Sequence, residues 1–247
     1  MLQIKKPYKH YTETLLQAVS DWQRGGNAKQ KEKRGRALKG AMNRLPKKYK
    51  SCGLYCLRQI AIEKGSLWRL ADQLKLPETI SSWTVSPTVA SQFKGGVPPK
   101  GLQGIIFGKH PPIGSVIANI SALYRDQRFL DAIEVHRHKI EGFHDGMGKY
   151  RDTQFEVVLE IGFVELQDIY ALGGYSSSSW EIAQQYFGTQ TPSDVQMKLF
   201  DDLVEKSRAK LGADWIEGEA KDRVLAKVAK LMPKLRKLKK LQDHATK

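Results

Sequence analysis

Cysteine is nearly absent. Cys52 and Cys56, four apart in CGLYC, are the only two in 247 residues. That spacing is not C-x-x-C, and no second pair exists to complete a zinc site. Buried or reduced thiols are the expected state. Long apolar runs are missing too: none approaches the roughly 20 residues that a bilayer span needs. The opening MLQIKKPYKHY lacks a signal peptide's apolar segment, so a cytoplasmic protein without a membrane partner is expected. No repeat of the solenoid kind is present. What remains, a chain 40% hydrophobic, is long enough to bury a full core.

Acid is scarce in two places. The chain holds 41 basic and 26 acidic residues, a formal net charge of +15. Residues 24–50 carry eleven of the basic residues against Glu32 alone, and residues 227–240 carry seven with no acid. Outside these segments stand 23 basic and 25 acidic residues, so the rest of the chain is nearly neutral. Concentrated positive charge of this kind commonly binds polyanions, although a solvated tail has the same composition.

The periodicity predicts an α+β protein with helices at both ends. Leu15, Leu16, Val19 and Trp22 stand at helical spacing within residues 10–23. The basic, glycine-interrupted stretch 24–50 reads partly as a linker. GLYCLRQIAI (53–62) reads as a buried strand, SLWRLADQL (66–74) as a short helix ended by Pro77, and 80–84 as a strand. A helix at 87–94 and a KGGVPPKG loop at 94–101 follow, then strands at 103–107 and 114–118. A helix is expected from Ser121 to about His136, a polar loop at 141–152, and a strong strand at 154–161 (QFEVVLEI). A short strand fits 168–172, and from 179 the pattern is helical with a break at Pro233.

Three of these strands carry polar groups in apolar settings. Arg58 lies within YCLRQIAI, where a cation is costly unless it meets an anion. In SSWTVSPTVASQF (81–93), Ser82 and Thr84 are two apart and share a strand face, and the Ser-Pro step at Pro87 turns the chain into a helix. Gln154 and Glu156 are likewise two apart, and Glu156 heads a largely apolar run. Taken singly, each also fits an edge-strand polar residue with a satisfied partner. SSSSW (176–180) fits a Ser-rich turn capping the next helix, and His136, His138 and His144 lack the acid or cysteine that would complete a metal site.

Taken together and in this order, the three strands resemble the Arg–Ser–Glu class of ADP-ribosyltransferases, the toxin-like and phage-type branch. Arg58 stands on a first strand. Ser82-x-Thr84 is followed by Ala90, six after Thr84, and Phe93, nine after it. Gln154-x-Glu156 stands on a later strand. The resemblance covers roughly residues 50–175 and departs at Arg58-Gln59, where the family often has Arg-Gly. It implies a toxin-type core of small mixed or antiparallel sheets packed with helices, set at 51–190, with basic helical extensions at 1–50 and 191–247.

The resemblance also implies NAD as co-substrate, with no metal. Cleavage of the nicotinamide–ribose bond passes through an oxocarbenium-like sugar, which a carboxylate stabilises. Glu156 takes that role, oriented by Ser82. Arg58 grips a pyrophosphate oxygen or supports the nicotinamide ribose, and Thr84 supports the strand or contacts NAD. Trp83, Phe93 and Phe107 are equal candidates to stack on the nicotinamide. Gln154, with Tyr150 and Arg151 before it, positions the acceptor; a Gln in place of the family's first Glu offers an amide for another amide or a base edge.

The function expected is mono-ADP-ribosyl transfer to nucleic acid, RNA or single-stranded DNA, with an antitoxin protein as a further partner by analogy. The same chemistry on a protein side chain is the nearest alternative. A transferase-like nucleic-acid-binding protein without activity is an alternative of a different class.

Overall fold

The computed structural model describes residues 10–63, 73–98 and 101–245. Among them the fold is α+β, as expected. The chain divides into two compact units, one built from residues 1–58, 73–90 and 108–168 and the other from 59–72, 91–107 and 169–247. Residues 10–50, expected to stand apart as a basic helical extension, fall within the first unit.

The first unit opens with α1 (Glu13–Gln23) and α2 (Ala28–Met42). Thr12 caps α1 through the Leu15 amide, and Leu15, Leu16, Val19 and Trp22 are buried as the spacing predicts. α2 fills most of the stretch read partly as a linker, in keeping with the helical character expected of residues 1–50. Gly25 and Gly26 end α1, and Asn27 then forms a capping box with Gln30, satisfying two free donors at once. The Lys, Arg, Glu and Ala that follow are good helix formers. Leu38 and Met42 bury the inner face. Gly35 lets α2 approach closely: a β-carbon there would lie 2.8 Å from Ile80 Cγ2 and 3.1 Å from the Trp22 ring.

β1 (Cys56–Glu63) begins in this unit, and β2 (Leu74–Lys75) and β3 (Ile80–Thr84) follow. The helix expected at 66–74 falls on undescribed residues as far as Asp72, and Leu74 already belongs to β2. β3 ends at a Ser-Pro corner, where Ser86 Oγ accepts from the Val89 amide and starts α3 (Pro87–Gln92). β4 (Leu102–Lys109) lies mainly in the second unit, and β5 (Val116–Asn119) returns the chain to the first. The helix expected over 121–136 is two helices, α4 (Ile120–Tyr124) and α5 (Gln127–His136), because Asn119 and Asp126 each cap a new start. Short α6 (Met147–Tyr150) occupies part of the expected loop.

β6 (Glu156–Glu160) starts two residues later than predicted. Its neighbours in the first unit give the order β5-β6-β3-β1. β6 pairs antiparallel with β3 in continuous register from Ile80↔Glu160 to Thr84↔Glu156, and Leu57 of β1 pairs with Thr84. β7 (Phe163–Val164) closes a separate two-stranded ladder with β2. A core of α1, α2, β5, α4, α5 and Val158 side chains, including Leu16, Leu38, Met42, Ile120, Leu123 and Phe129, packs in this unit.

In the second unit, β8 (Ile169–Tyr175) pairs antiparallel with β4 on one side and β9 (Ala213–Ile216) on the other. Gly104 and Gly173 bring β4 and β8 together without side chains between them, a β-carbon on Gly173 meeting the Gly104 backbone at 3.1 Å. Ser178 caps α7 (Ser179–Phe187) in a box with Glu181, the role expected of the SSSSW stretch, and Ser193 does the same for α8 (Asp194–Ser207). The expected unbroken helical tail is interrupted by β9. α9 (Gly218–Ala245) then runs through Pro233, where a break is expected because proline supplies no N–H to the preceding turn. Among the described residues no helix is long and apolar enough to cross a membrane.

Candidate functional site

The β3/β6 register places Thr84 directly opposite Glu156. Alternation then sets Ser82 on the same face, one step along the diagonal. Ser82 Oγ donates to Glu156 Oε1, and the indole Nε1 of Trp22 donates to the same oxygen at 2.7 Å. Glu156 is 3% exposed, whereas Ser82 is exposed. Thr84 Oγ1 donates to the Gln154 carbonyl at 2.7 Å and accepts from the Ser86 amide at 3.1 Å, tying the Ser-Pro corner to the entry of β6.

Glu156 Oε2 is buried with no partner among the described residues. Burial pushes the Glu156 carboxyl above the usual carboxylate range, and the Ser82 hydroxyl, the Trp22 indole and the nearby Gln23 amide pull it only part of the way back. All its identified donors are neutral. Among the described residues no charge compensates an ionised carboxylate here, so a cation placed against Oε2 would gain more than it would against a solvated carboxylate.

Further polar groups surround this point. Gln23 Nε2 donates to the Arg151 carbonyl at 3.0 Å, and its Oε1 accepts from the Tyr124 hydroxyl at 3.1 Å. Asp152 Oδ2 accepts from Ser121 at 3.2 Å while Oδ1 is buried with no partner among the described residues, and burial raises this carboxyl as well. Trp22, Gln23, Ser121, Tyr124 and Asp152 were not legible as site residues. At the sequence level Trp22 is one more apolar position on α1, and its 134-residue separation from Glu156 leaves no local signal.

The other expected site residues are placed as follows. Gln154 is not on β6, so the shared strand face inferred for Gln154 and Glu156 does not exist. Residues 151–154 form a turn, and Phe155 (φ 46°) is left-handed, which interrupts the alternation. Arg151 is left-handed too (φ 45°) and exposed, and Lys149 Nζ sits 5.3 Å from the centre of the Tyr150 ring. Arg58 does meet an anion, but one of the chain's own: it pairs with Glu78, which also binds Lys31 at 2.9 Å. Among the described residues Arg58 Nη1 is left buried and without a hydrogen-bond partner.

Trp83 is 2% exposed, its indole N–H donating to Ser81 Oγ at 3.1 Å, which makes it a core residue and no surface for a nicotinamide. Phe107 is 1% exposed within the second unit, so it too is packed away. Phe93 is exposed, also in the second unit. His136 Nδ1 lies 3.0 Å from Glu13, and among the described residues no three His, Cys, Asp or Glu side chains are grouped as metal ligands. Compared with known proteins, the chain matches no family model, no curated protein and no solved structure.

Proposed function

We propose that the chain is an NAD-dependent mono-ADP-ribosyltransferase of toxin-type fold, with Glu156 as the carboxylate at the reacting ribose. The observation that carries the reading is the Ser82–Glu156 hydrogen bond across β3 and β6 with Glu156 Oε2 left open. When NAD is bound, the C1′–N bond breaks, nicotinamide leaves with the electron pair, and positive charge spreads over C1′ and the ring oxygen. A buried carboxylate with no cation paired to it among the described residues stabilises that charge most in the transition state. Ser82 and Trp22 hold the carboxylate still while this happens. Arg58 Nη1 supplies an unfilled donor for a pyrophosphate oxygen, with Glu78 releasing part of its hold.

The acceptor proposed is nucleic acid. Lys29, Lys33, Arg36, Lys47 and Lys48 are exposed in the basic segment, and a polyanion gains affinity there by counterion release. Tyr150, half-buried, is retained as the base-stacking residue. Gln154 is retained through its amide, placed by the turn and not by a strand face. The acceptor nucleophile attacks C1′ and loses its proton to solvent.

The deep burial of Glu156 and the occupation of Arg58 by Glu78 favour a second reading, a nucleic-acid-binding protein of the same fold without transfer activity. Labelled NAD, offered with RNA, single-stranded DNA and cell lysate, separates the two. The expected result is label in nuclease-sensitive material and nicotinamide release, with nucleic-acid capture falling steeply from about 50 to 200 mM salt. Label confined to protease-sensitive material moves the acceptor to protein. Salt-sensitive nucleic-acid binding with neither label nor nicotinamide establishes the second reading.

A further inference from the structure

The two cysteines play no part in that site. Cys52 lies half-buried on the irregular stretch 51–55, and Cys56, fully buried, is the first residue of β1. Their sulfurs are 3.8 Å apart, and both approach the Leu54 carbonyl, at 3.8 Å from Cys52 and 3.6 Å from Cys56. A disulfide holds its sulfurs at about 2.05 Å, so closure needs a movement of about 1.8 Å. Cys52 can supply it by side-chain rotation with small backbone adjustment, because no helix or strand constrains it.

The thiols differ in a useful way. The hydrogen bond from Cys56 lowers Cys52 to about 6, and His110 nearby acts in the same direction. The same bond, together with burial, pushes Cys56 well above the ordinary thiol range. Cys52 is thus the more acidic and more accessible thiol, and Cys56 the shielded one beside it. A nucleophilic sulfur paired with a resolving one has this arrangement.

We propose that Cys52 and Cys56 form a hydroperoxide-reactive dithiol, in which Cys52 attacks the oxidant and Cys56 resolves it to an intramolecular disulfide. The Cys52 thiolate attacks one peroxide oxygen, the O–O bond breaks, a sulfenic acid forms, and the leaving hydroxide takes up the proton that Cys52 gave up, becoming the first water. The Cys56 sulfur then attacks Cys52, its proton leaves with the departing hydroxide as water, and the S–S bond closes. Two thiols and one hydrogen peroxide give one disulfide and two waters. The site does not depend on ADP-ribosyl transfer.

The test uses the reduced full chain and hydrogen peroxide at neutral pH. Intact mass is expected to fall by two hydrogens, with both thiols lost to titration and restored by dithiothreitol. Before oxidation, iodoacetamide should label Cys52 at least about tenfold faster than Cys56. Cys56→Ser should stop at a sulfenic acid on Cys52 that dimedone captures, and Cys52→Ser should give neither product. Retention of both thiols after peroxide overturns the proposal, as does a disulfide that joins two chains instead of closing within one.

Discussion

Two carboxylates in the first unit, Glu156 and Asp126, are both held by aromatic donors, yet their acidities move in opposite directions. Glu156 receives the Trp22 indole and the Ser82 hydroxyl, and burial raises it. Asp126 receives a two-point grip from Arg128, Nε to Oδ1 at 3.0 Å and Nη2 to Oδ2 at 2.7 Å, together with the Tyr49 hydroxyl. Tyr11 approaches at 3.0 Å and Lys48 at 3.7 Å. Arg128 first, and then Tyr49, hold Asp126 far below the usual carboxylate range. Neutral donors orient a carboxylate. Only a cation or solvent balances its charge, and among the described residues no cation is paired with Glu156.

The widest separation between the two is expected in activity. Glu156→Gln keeps the acceptor for Trp22 but removes the charge, and nicotinamide release from NAD should fall about 10²–10³-fold. Asp126→Asn should leave that rate unchanged, and comparable losses in both variants would remove Glu156 from the chemistry.

Stability should separate them next. Asp126→Ala loses the α5 cap and the acceptor of two tyrosines, costing about 2–3 kcal/mol in urea unfolding, whereas Glu156→Gln should be neutral or stabilising at pH 7. The pH dependence carries opposite signs. The raised Glu156 contributes stability below the ordinary glutamate range and loses it as pH climbs through its folded value. Glu156→Gln should therefore gain on wild type from about pH 4 upward. The depressed Asp126 contributes above the ordinary aspartate range and loses its contribution on acidification. The gap between wild type and Asp126→Ala should accordingly narrow below about pH 4. Parallel curves for the two variants would contradict this account.

The smallest expected difference concerns single donors. Trp22→Phe takes from a buried carboxylate one of the neutral donors that hold it and should cost about 1–3 kcal/mol in urea unfolding. Tyr49→Phe, with Arg128 still in place, should cost about 1 kcal/mol or less. A costlier Tyr49→Phe would show that the tyrosines, and not the arginine, dominate at Asp126.

How far the chain could be read in advance follows the range of the interactions. β3 was legible to the residue, since period-two alternation and the Ser-Pro corner are both local. Ser82, Thr84 and Glu156 meet because their strands pair, and the residue spacing carried that much. The Gln154–Glu156 face was misread because a left-handed Phe155, which no alternation rule anticipates, lies between them. α2 was only partly legible because its inner face rests on few buried positions, Gly35, Leu38 and Met42, within a stretch dominated by charge. The Trp22 contact has no sequence counterpart, since it exists only once α1 has docked.

If the basic segment captures a polyanion as proposed, the close seat of Gly35 against Ile80 bears on how it does so. A flexible tail would have to be frozen on contact, at about 1–2 kcal/mol for each backbone residue ordered. α2 is already folded, so its capture of a partner should bring little gain in helicity. Its exposed Lys29, Lys33 and Arg36 also occupy set heights along an axis that rises 1.5 Å per residue, about 10 Å from first to last. Preference among polyanions then becomes a matter of pitch: a ligand whose phosphates repeat at a commensurate interval meets every charge at once, and a coiled or irregular one does not.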